Sequence, residues 1–362
     1  MERNIDEIVK QVIEEVWAEQ KQIVWEPRKS SDRGRTAYLK EAQHYEIKTF
    51  DIPSPKEKEL LVRTEGCLVT AEDAKKFLKA GSGYSYDSVG GSGTGVIVKK
   101  GSGIVKDING TVLKDGDHVI TLRSSYLKRT GYSVNIRSLE KEEARYGWYS
   151  SHRILNEEME ILQVNDLDME SRMLLFKAAQ AVMSVDRICK LYKLRSDAKI
   201  IILGCKEAGL LTTAILKCRG ISNIIAVDID KEKLDVAKQL GAKHTILFHP
   251  KTGLIGAADK VRSYFGGEMS DLVIMSEEVT GGIPMVRRFV KQNGYVADLT
   301  SNYNFHLTKE VYRQGIEFLY RAKEERIPLY RLVTHRFHLE ELDQANWTVL
   351  SEKGISSVVQ NR

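Results

Sequence analysis

The stretch that most constrains this chain is LRSDAKIIILGCKEAGLL, where an apolar run stops at Gly204 in a glycine turn and passes directly into a helical pattern. Four consecutive large aliphatics with no polar alternation predict a strand buried on both faces, as in a parallel sheet covered by helices. The turn reads Gly204, Cys205, Lys206, Glu207, Ala208, Gly209, a GxGxxG spacing with lysine at the middle position. The next apolar run, IIAVD, ends in Asp228, 24 residues after Gly204.

A buried strand, a glycine turn, a helix and an acid at the end of the second strand form a chemically coherent set. Gly204 permits the tight turn and Gly209 the close approach of helix to strand. The helix N-terminus offers N–H groups and a positive dipole to a pyrophosphate. A carboxylate at Asp228 can accept both hydroxyls of an adenosine ribose, and its charge disfavours a 2′-phosphate. The expected ligand is NAD rather than NADP. Lys206 leaves two readings open: it swings outward and adds a charge-assisted contact, or it blocks the site.

The rest of the chain supplies the frame. Its 362 residues, 42% hydrophobic and 29% charged, suit two globular domains. After Asp228 come HTILF, DLVIMS and GYVADLT, spaced as βα units. Before residue 167 the pattern is instead short β runs between turns: TAYLKEA, YEIKTFDI, KELLVRTEG, GTGVIVKKGSG and DGDH before VITL. Leu167 to Leu194 reads as helix, and Arg331 to Val359 as strand, helix and strand. We divide the chain into an amphipathic helix (1–20), a linker (21–35), a β domain (36–166), a dinucleotide-binding domain (167–325) and a segment returning to the first domain (326–362).

Several function classes are excluded. The net charge of +5 comes from interspersed signs with no basic block, so nucleic acid is not an expected partner. No apolar run reaches the ~18 residues of a membrane span, and no signal peptide is legible, which predicts a cytoplasmic protein. Cys67, Cys189, Cys205 and Cys218 lie far apart, fitting a reducing compartment.

The blocks LLVRTEG, GTGVIVKKGSGI, KDGDHVITL, IIILGCKEAGLL, AVDIDKEKLDVAKQLGAKHTI and LVTHRFHLEELDQA, in this order, resemble the medium-chain dehydrogenase/reductase superfamily, its zinc-type alcohol and polyol dehydrogenases in particular. The resemblance covers about residues 36 to 362. It implies an α/β chain with a GroES-like β domain beside a Rossmann doubly wound parallel sheet. It also implies NAD as cofactor, a small alcohol or carbonyl substrate, and a homo-oligomer, dimer or tetramer. Lys233, five residues after Asp228, matches a lysine that reaches the adenosine ribose in some members; a solvent-facing helix lysine is the alternative.

The resemblance breaks at the metal. Where members carry a catalytic-zinc cysteine and a Gly-His-Glu segment, this chain has Thr70, Ala71, Glu72, Asp73 and then Gly90, Gly91, Ser92. The third position, around Arg172 and Met173, offers no thiolate or imidazole either, and no cysteine lies between Cys67 and Cys189 to build the structural-zinc lobe. Both zincs are predicted absent. Proton handling then falls to side chains, with Glu72, Asp73 and Lys75 as catalytic candidates: a buried lysine beside a carboxylate would be tuned toward a general acid. The alternative is that AEDAKKF is the charged start of a surface helix. His152 is a minor candidate, and Tyr84 and Tyr86 either line the cleft or cap a loop.

Ile5, Ile8, Val9, Val12, Ile13 and Val16 form one helical stripe ahead of a polar tether. The segment resembles encapsulation peptides that dock enzymes on shell or cargo proteins of bacterial microcompartments; packing on its own enzyme is the alternative. The functional expectation is a zinc-independent NAD(H)-dependent oxidoreductase for a small alcohol and its aldehyde or ketone, cytoplasmic or inside such a compartment. The alternatives are an enone or quinone reductase and a degenerate, non-catalytic nucleotide-binding member.

Overall fold

The structure is a computed structural model that describes residues 33–79, 90, 92–122, 147–156, 159–248, 255–278, 282–299 and 307–361. The N-terminal stripe, Tyr84, Tyr86 and Gly91 lie outside the described residues.

The chain enters through an antiparallel pair, β1 (Arg33–Glu41) and β2 (His44–Asp51). β1 begins inside the stretch read as a linker, because Arg35 is anchored by its N–H donating to Ser151 Oγ and its carbonyl accepting the Ser151 N–H. A larger sheet follows: β3 (Glu59–Val69), β4 (Gly93–Lys100), β5 (His118–Thr121), β6 (His152–Asn156) and β7 (Ile161–Gln163), with helix α1 (Ala71–Lys79) after β3. The Asp-Gly signal before VITL is a turn, with Gly116 at φ +89° and Asp117 Oδ2 accepting the Lys114 N–H.

Helix α2 (Met169–Tyr192) leads into the second half. Asp168 caps it by accepting the Ser171 N–H at 2.8 Å, satisfying a donor that the first helical turn leaves orphaned. Five strands then form an all-parallel sheet: β8 (Ile200–Leu203), β9 (Ile224–Asp228), β10 (His244–Leu247), β11 (Ser270–Met275) and β12 (Val290–Asp298). Between them run α3 (Glu207–Cys218), α4 (Lys231–Gln239), α5 (Ile255–Tyr264) and the short α6 (Gly282–Val286). The spatial order is β10-β9-β8-β11-β12. This is a doubly wound sheet whose chain reverses direction between β8 and β11, the switch point at which sheets of this kind bind ligands.

Burial explains the uninterrupted aliphatics. Ile200, Ile202, Ile224 and Ala226 face a core shared with α2, α3 and α7 (Lys309–Glu324), whereas Ile201, Ile225 and Val273 face a second core with Val261 and Phe289. Helices α2 and α7 approach closely because Gly315 lies on Ala179; an added Cβ would sit 3.0 Å from the Ala179 Cα.

The chain then returns through β13 (Val333–His338), α8 (Leu342–Leu350) and β14 (Ser356–Gln360). The two strands extend the first large sheet to the order β13-β14-β3-β4-β5-β7, with β6 also on β3. Phe337, Leu339, Leu342, Ala345 and Val359 join Leu60, Val62, Cys67, Phe77, Trp148 and Tyr149 in one core.

Candidate dinucleotide and substrate site

At the C-terminal end of β8, Gly204 takes φ +91°, a conformation a Cβ would disfavour. Gly209 is required for space: a Cβ there would meet the Gly204 carbonyl oxygen at 2.1 Å and Ser276 Oγ at 2.5 Å. Ser276, just past β11, donates its hydroxyl to that carbonyl at 2.7 Å and ties the turn to the neighbouring strand. Asp228, 8% exposed, accepts the Cys205 N–H at 2.6 Å on Oδ2 and the Asp230 N–H at 2.8 Å on Oδ1. Each oxygen keeps an acceptor direction for a ribose hydroxyl. Burial, with Asp228 and Glu277 adding to it, pushes the Cys205 thiol well above its ordinary range, so it stays protonated.

The Lys206 ammonium is held between two carboxylates. Its Nζ lies 2.8 Å from Glu352 Oε2 and 3.3 Å from Glu277 Oε2. Burial works against its charge, but the hydrogen bond to Glu352 and the nearby Glu277 outweigh it, and the pKa lies above the usual lysine value. Glu207 Oε1 accepts the Ser356 hydroxyl at 2.8 Å, and its other oxygen lies 3.3 Å from Lys177 Nζ. Ala208 is exposed at the start of α3. Lys233 is buried, with Nζ 3.9 Å from Asp230 Oδ2, so it is not a solvent-facing lysine.

The three catalytic candidates sit on α1 with different fates. Asp73 is 2% exposed and bound to Thr70: Oδ2 accepts the Thr70 hydroxyl at 2.6 Å and the Thr70 N–H at 3.1 Å. The Asp73 N–H in turn donates to Thr70 Oγ1 at 3.2 Å, so the pair is a reciprocal helix cap. Glu72 is exposed, 4.0 Å from Lys76, and Lys75 is exposed as well. A general-acid lysine needs burial that Lys75 does not have, and the segment has the geometry of a charged helix start. Glu72→Gln and Lys75→Met are therefore expected to leave turnover within about twofold, whereas Asp73→Ala is expected to cost roughly 1–2 kcal/mol in urea denaturation. His152 is half-buried with Nδ1 3.1 Å from Ser151 Oγ. Burial and then Arg63 lower its pKa to about 4, so it stays neutral near pH 7.

The positions where the resemblance places zinc ligands hold other chemistry. Thr70 is committed to Asp73, and Ser92 Oγ donates to the Met173 carbonyl at 3.1 Å. Arg172, 6% exposed, donates from Nη2 to Glu65 Oε2 at 2.9 Å, while His118 Nδ1 lies 3.0 Å from the same oxygen. Arg172, Ser92, Thr121, Phe176 and Tyr312 line a cavity of about 10 Å³, room for one water. The Arg172 Nε is buried without a hydrogen-bond partner among the described residues. Among the described residues, no three His, Cys, Asp or Glu side chains group as metal ligands.

Sequence reasoning missed Glu65, Glu277 and Glu352, each of which meets its partner from a distant part of the chain. No local spacing signals such contacts.

Residues 208–300 match the zinc-binding dehydrogenase family. The chain is 27% identical over 182 residues to a D-xylulose reductase of Scheffersomyces stipitis, covering 43% of this chain and 48% of that protein. It is 27% identical over 173 residues to an L-threonine 3-dehydrogenase of Bacillus licheniformis, covering 41% and 47%. It thus spans about half the length of the curated relatives it matches. An alcohol dehydrogenase structure from Thermotoga maritima superposes over 91% of this chain and 100% of that one, with TM-score 0.69 and 19% identity. The fold is that of the medium-chain alcohol dehydrogenases. It joins a GroES-like β domain to a Rossmann sheet. No helix among the described residues is long and apolar enough to cross a membrane.

Proposed function

We propose that the protein is an NAD(H)-linked oxidoreductase that interconverts a small alcohol and its aldehyde or ketone without a catalytic zinc. The observation that carries this reading is the strand-end pair of Gly204 and Asp228, one at φ +91° and the other a buried carboxylate with acceptor directions to spare. The adenosine half of the cofactor fits these residues: Asp228 receives the ribose, and Gly209 lets α3 close on β8. When bound, the nicotinamide would supply or accept the hydride.

The chain's own residues would do the rest. The first turn of α3 presents N–H groups to the diphosphate. Glu207, through Ser356 and Lys177, holds that turn against β14 and α2. Near a position where the resemblance places a zinc ligand, Arg172 brings a buried positive charge held by Glu65. Hydroxyls and a guanidinium are not a zinc donor set, which supports the metal-free reading.

NADH is expected to bind at least tenfold more tightly than NADPH in a fluorescence titration, because the Asp228 carboxylate would face the 2′-phosphate. Equal or reversed affinities would remove the assignment. A second reading, a nucleotide binder without catalysis, is favoured by the carboxylate of Glu277 at the glycine turn. A panel of small alcohols and ketones followed at the nicotinamide absorbance separates the two.

A further inference from the structure

Glu277 lies two residues past the end of β11, on the strand that flanks β8 at the switch point of the sheet. Its side chain covers the glycine turn: a Cβ added to Gly204 would stand 2.7 Å from Glu277 Cγ and 2.9 Å from its Oε1. One carboxylate oxygen accepts the Lys206 N–H at 3.1 Å, and the other lies 3.3 Å from the Lys206 ammonium. A backbone N–H of the turn and a nearby cation are what such a turn otherwise offers to a phosphate. The carboxylate already takes both.

We propose that Glu277 is an internal plug of the phosphate-binding turn, a built-in anion that a ligand diphosphate must displace. This rests on the dinucleotide reading above and adds what sets its affinity. With the plug in place, the turn already carries the carboxylates of Glu277, Glu352 and Glu207 against the ammonium groups of Lys206 and Lys177. With the plug displaced, Lys206 exchanges one carboxylate for a phosphate, so the two readings of Lys206 become two states of one device. Glu352, on the turn before β14, holds the ammonium from the other side and couples the plug to the first sheet.

The consequence is a specificity. Adenosine, recognised at Asp228, should bind independently of Glu277, whereas the gain from added phosphates should be suppressed. Isothermal titration of the whole chain with adenosine and with ADP reads this directly and needs no turnover. In the unmodified protein ADP is expected to bind no more than about threefold tighter than adenosine. Glu277→Ala is expected to tighten ADP at least tenfold while adenosine stays within twofold, and Glu277→Gln, which keeps the shape but not the charge, to fall between. Adding Lys206→Ala to Glu277→Ala should take back most of the gain. An unmodified protein that already prefers ADP tenfold, or Glu277 variants with unchanged ADP affinity and intact adenosine binding, would overturn the plug alone. Adenosine binding to none of the forms, each shown folded by its melting curve, would overturn the dinucleotide reading and the plug with it.

Discussion

Valine at Gly209 is expected to lower the melting temperature by about 6 °C or more and to abolish NADH binding. The space is closed by backbone: the added Cβ would lie 2.1 Å from the Gly204 carbonyl oxygen, which cannot rotate away as a side-chain end could. That oxygen is also the acceptor for the Ser276 hydroxyl, so displacing it breaks the bond that fixes the turn to the end of β11. Forced overpacking of this kind costs roughly 3 kcal/mol, and in a domain of this size each kcal/mol moves the midpoint by about 2–4 °C. Circular dichroism melting with a parallel titration measures both effects. An unchanged midpoint would show that α3 shifts outward cheaply, and unchanged affinity that the turn is not where the cofactor binds.

Arg172→Met is expected to destabilise the protein by about 3 kcal/mol, since breaking a buried ion pair leaves a charge uncompensated. Arg172 is 6% exposed and its guanidinium spans two acceptors, Nη2 donating to Glu65 on β3 and Nη1 to the Leu167 carbonyl at 3.1 Å. Burial lowers its pKa and Glu65 raises it back in part, which leaves the arginine charged but dependent on that partner. Without Arg172, Glu65 keeps only His118 among the described residues. Urea midpoints should show the loss, and Glu65→Leu combined with Arg172→Met should recover more than half of it. Additive losses in the double variant would mean that the pair is not coupled.

The two sites differ in how much of them the sequence discloses. The dinucleotide turn is legible because its requirements are local: a φ only glycine tolerates, a contact that excludes a Cβ, and an acid at the end of the next strand. The parallel order of β8 to β12 follows for the same reason, since each uninterrupted aliphatic run needs cover on both faces. The substrate side is not legible in that way. Glu72 and Lys75 stand out by residue type at a family position, yet the reciprocal bonding of Thr70 and Asp73 turns α1 so that both face solvent. Glu65 and Arg172, which do meet in a buried place, are 107 positions apart and carry no spacing signal. Glu277 is one acid in the run SEE, and only the crossing from β8 to β11 puts it over Gly204.

The placement of β14 between β3 and β13 sets the order in which the molecule can be made. Ser357 pairs with Val69 and Gln360 with Gly66, so the sheet begun by β3 and β4 is completed by a strand synthesised after every strand of the parallel sheet. The parallel sheet, whose strands are all contained in one continuous stretch, can close while synthesis is still under way. The first sheet must wait with the Leu68 edge of β3 unpaired, and every nascent chain passes through an interval in which a strand from a neighbouring chain could take the place reserved for β14.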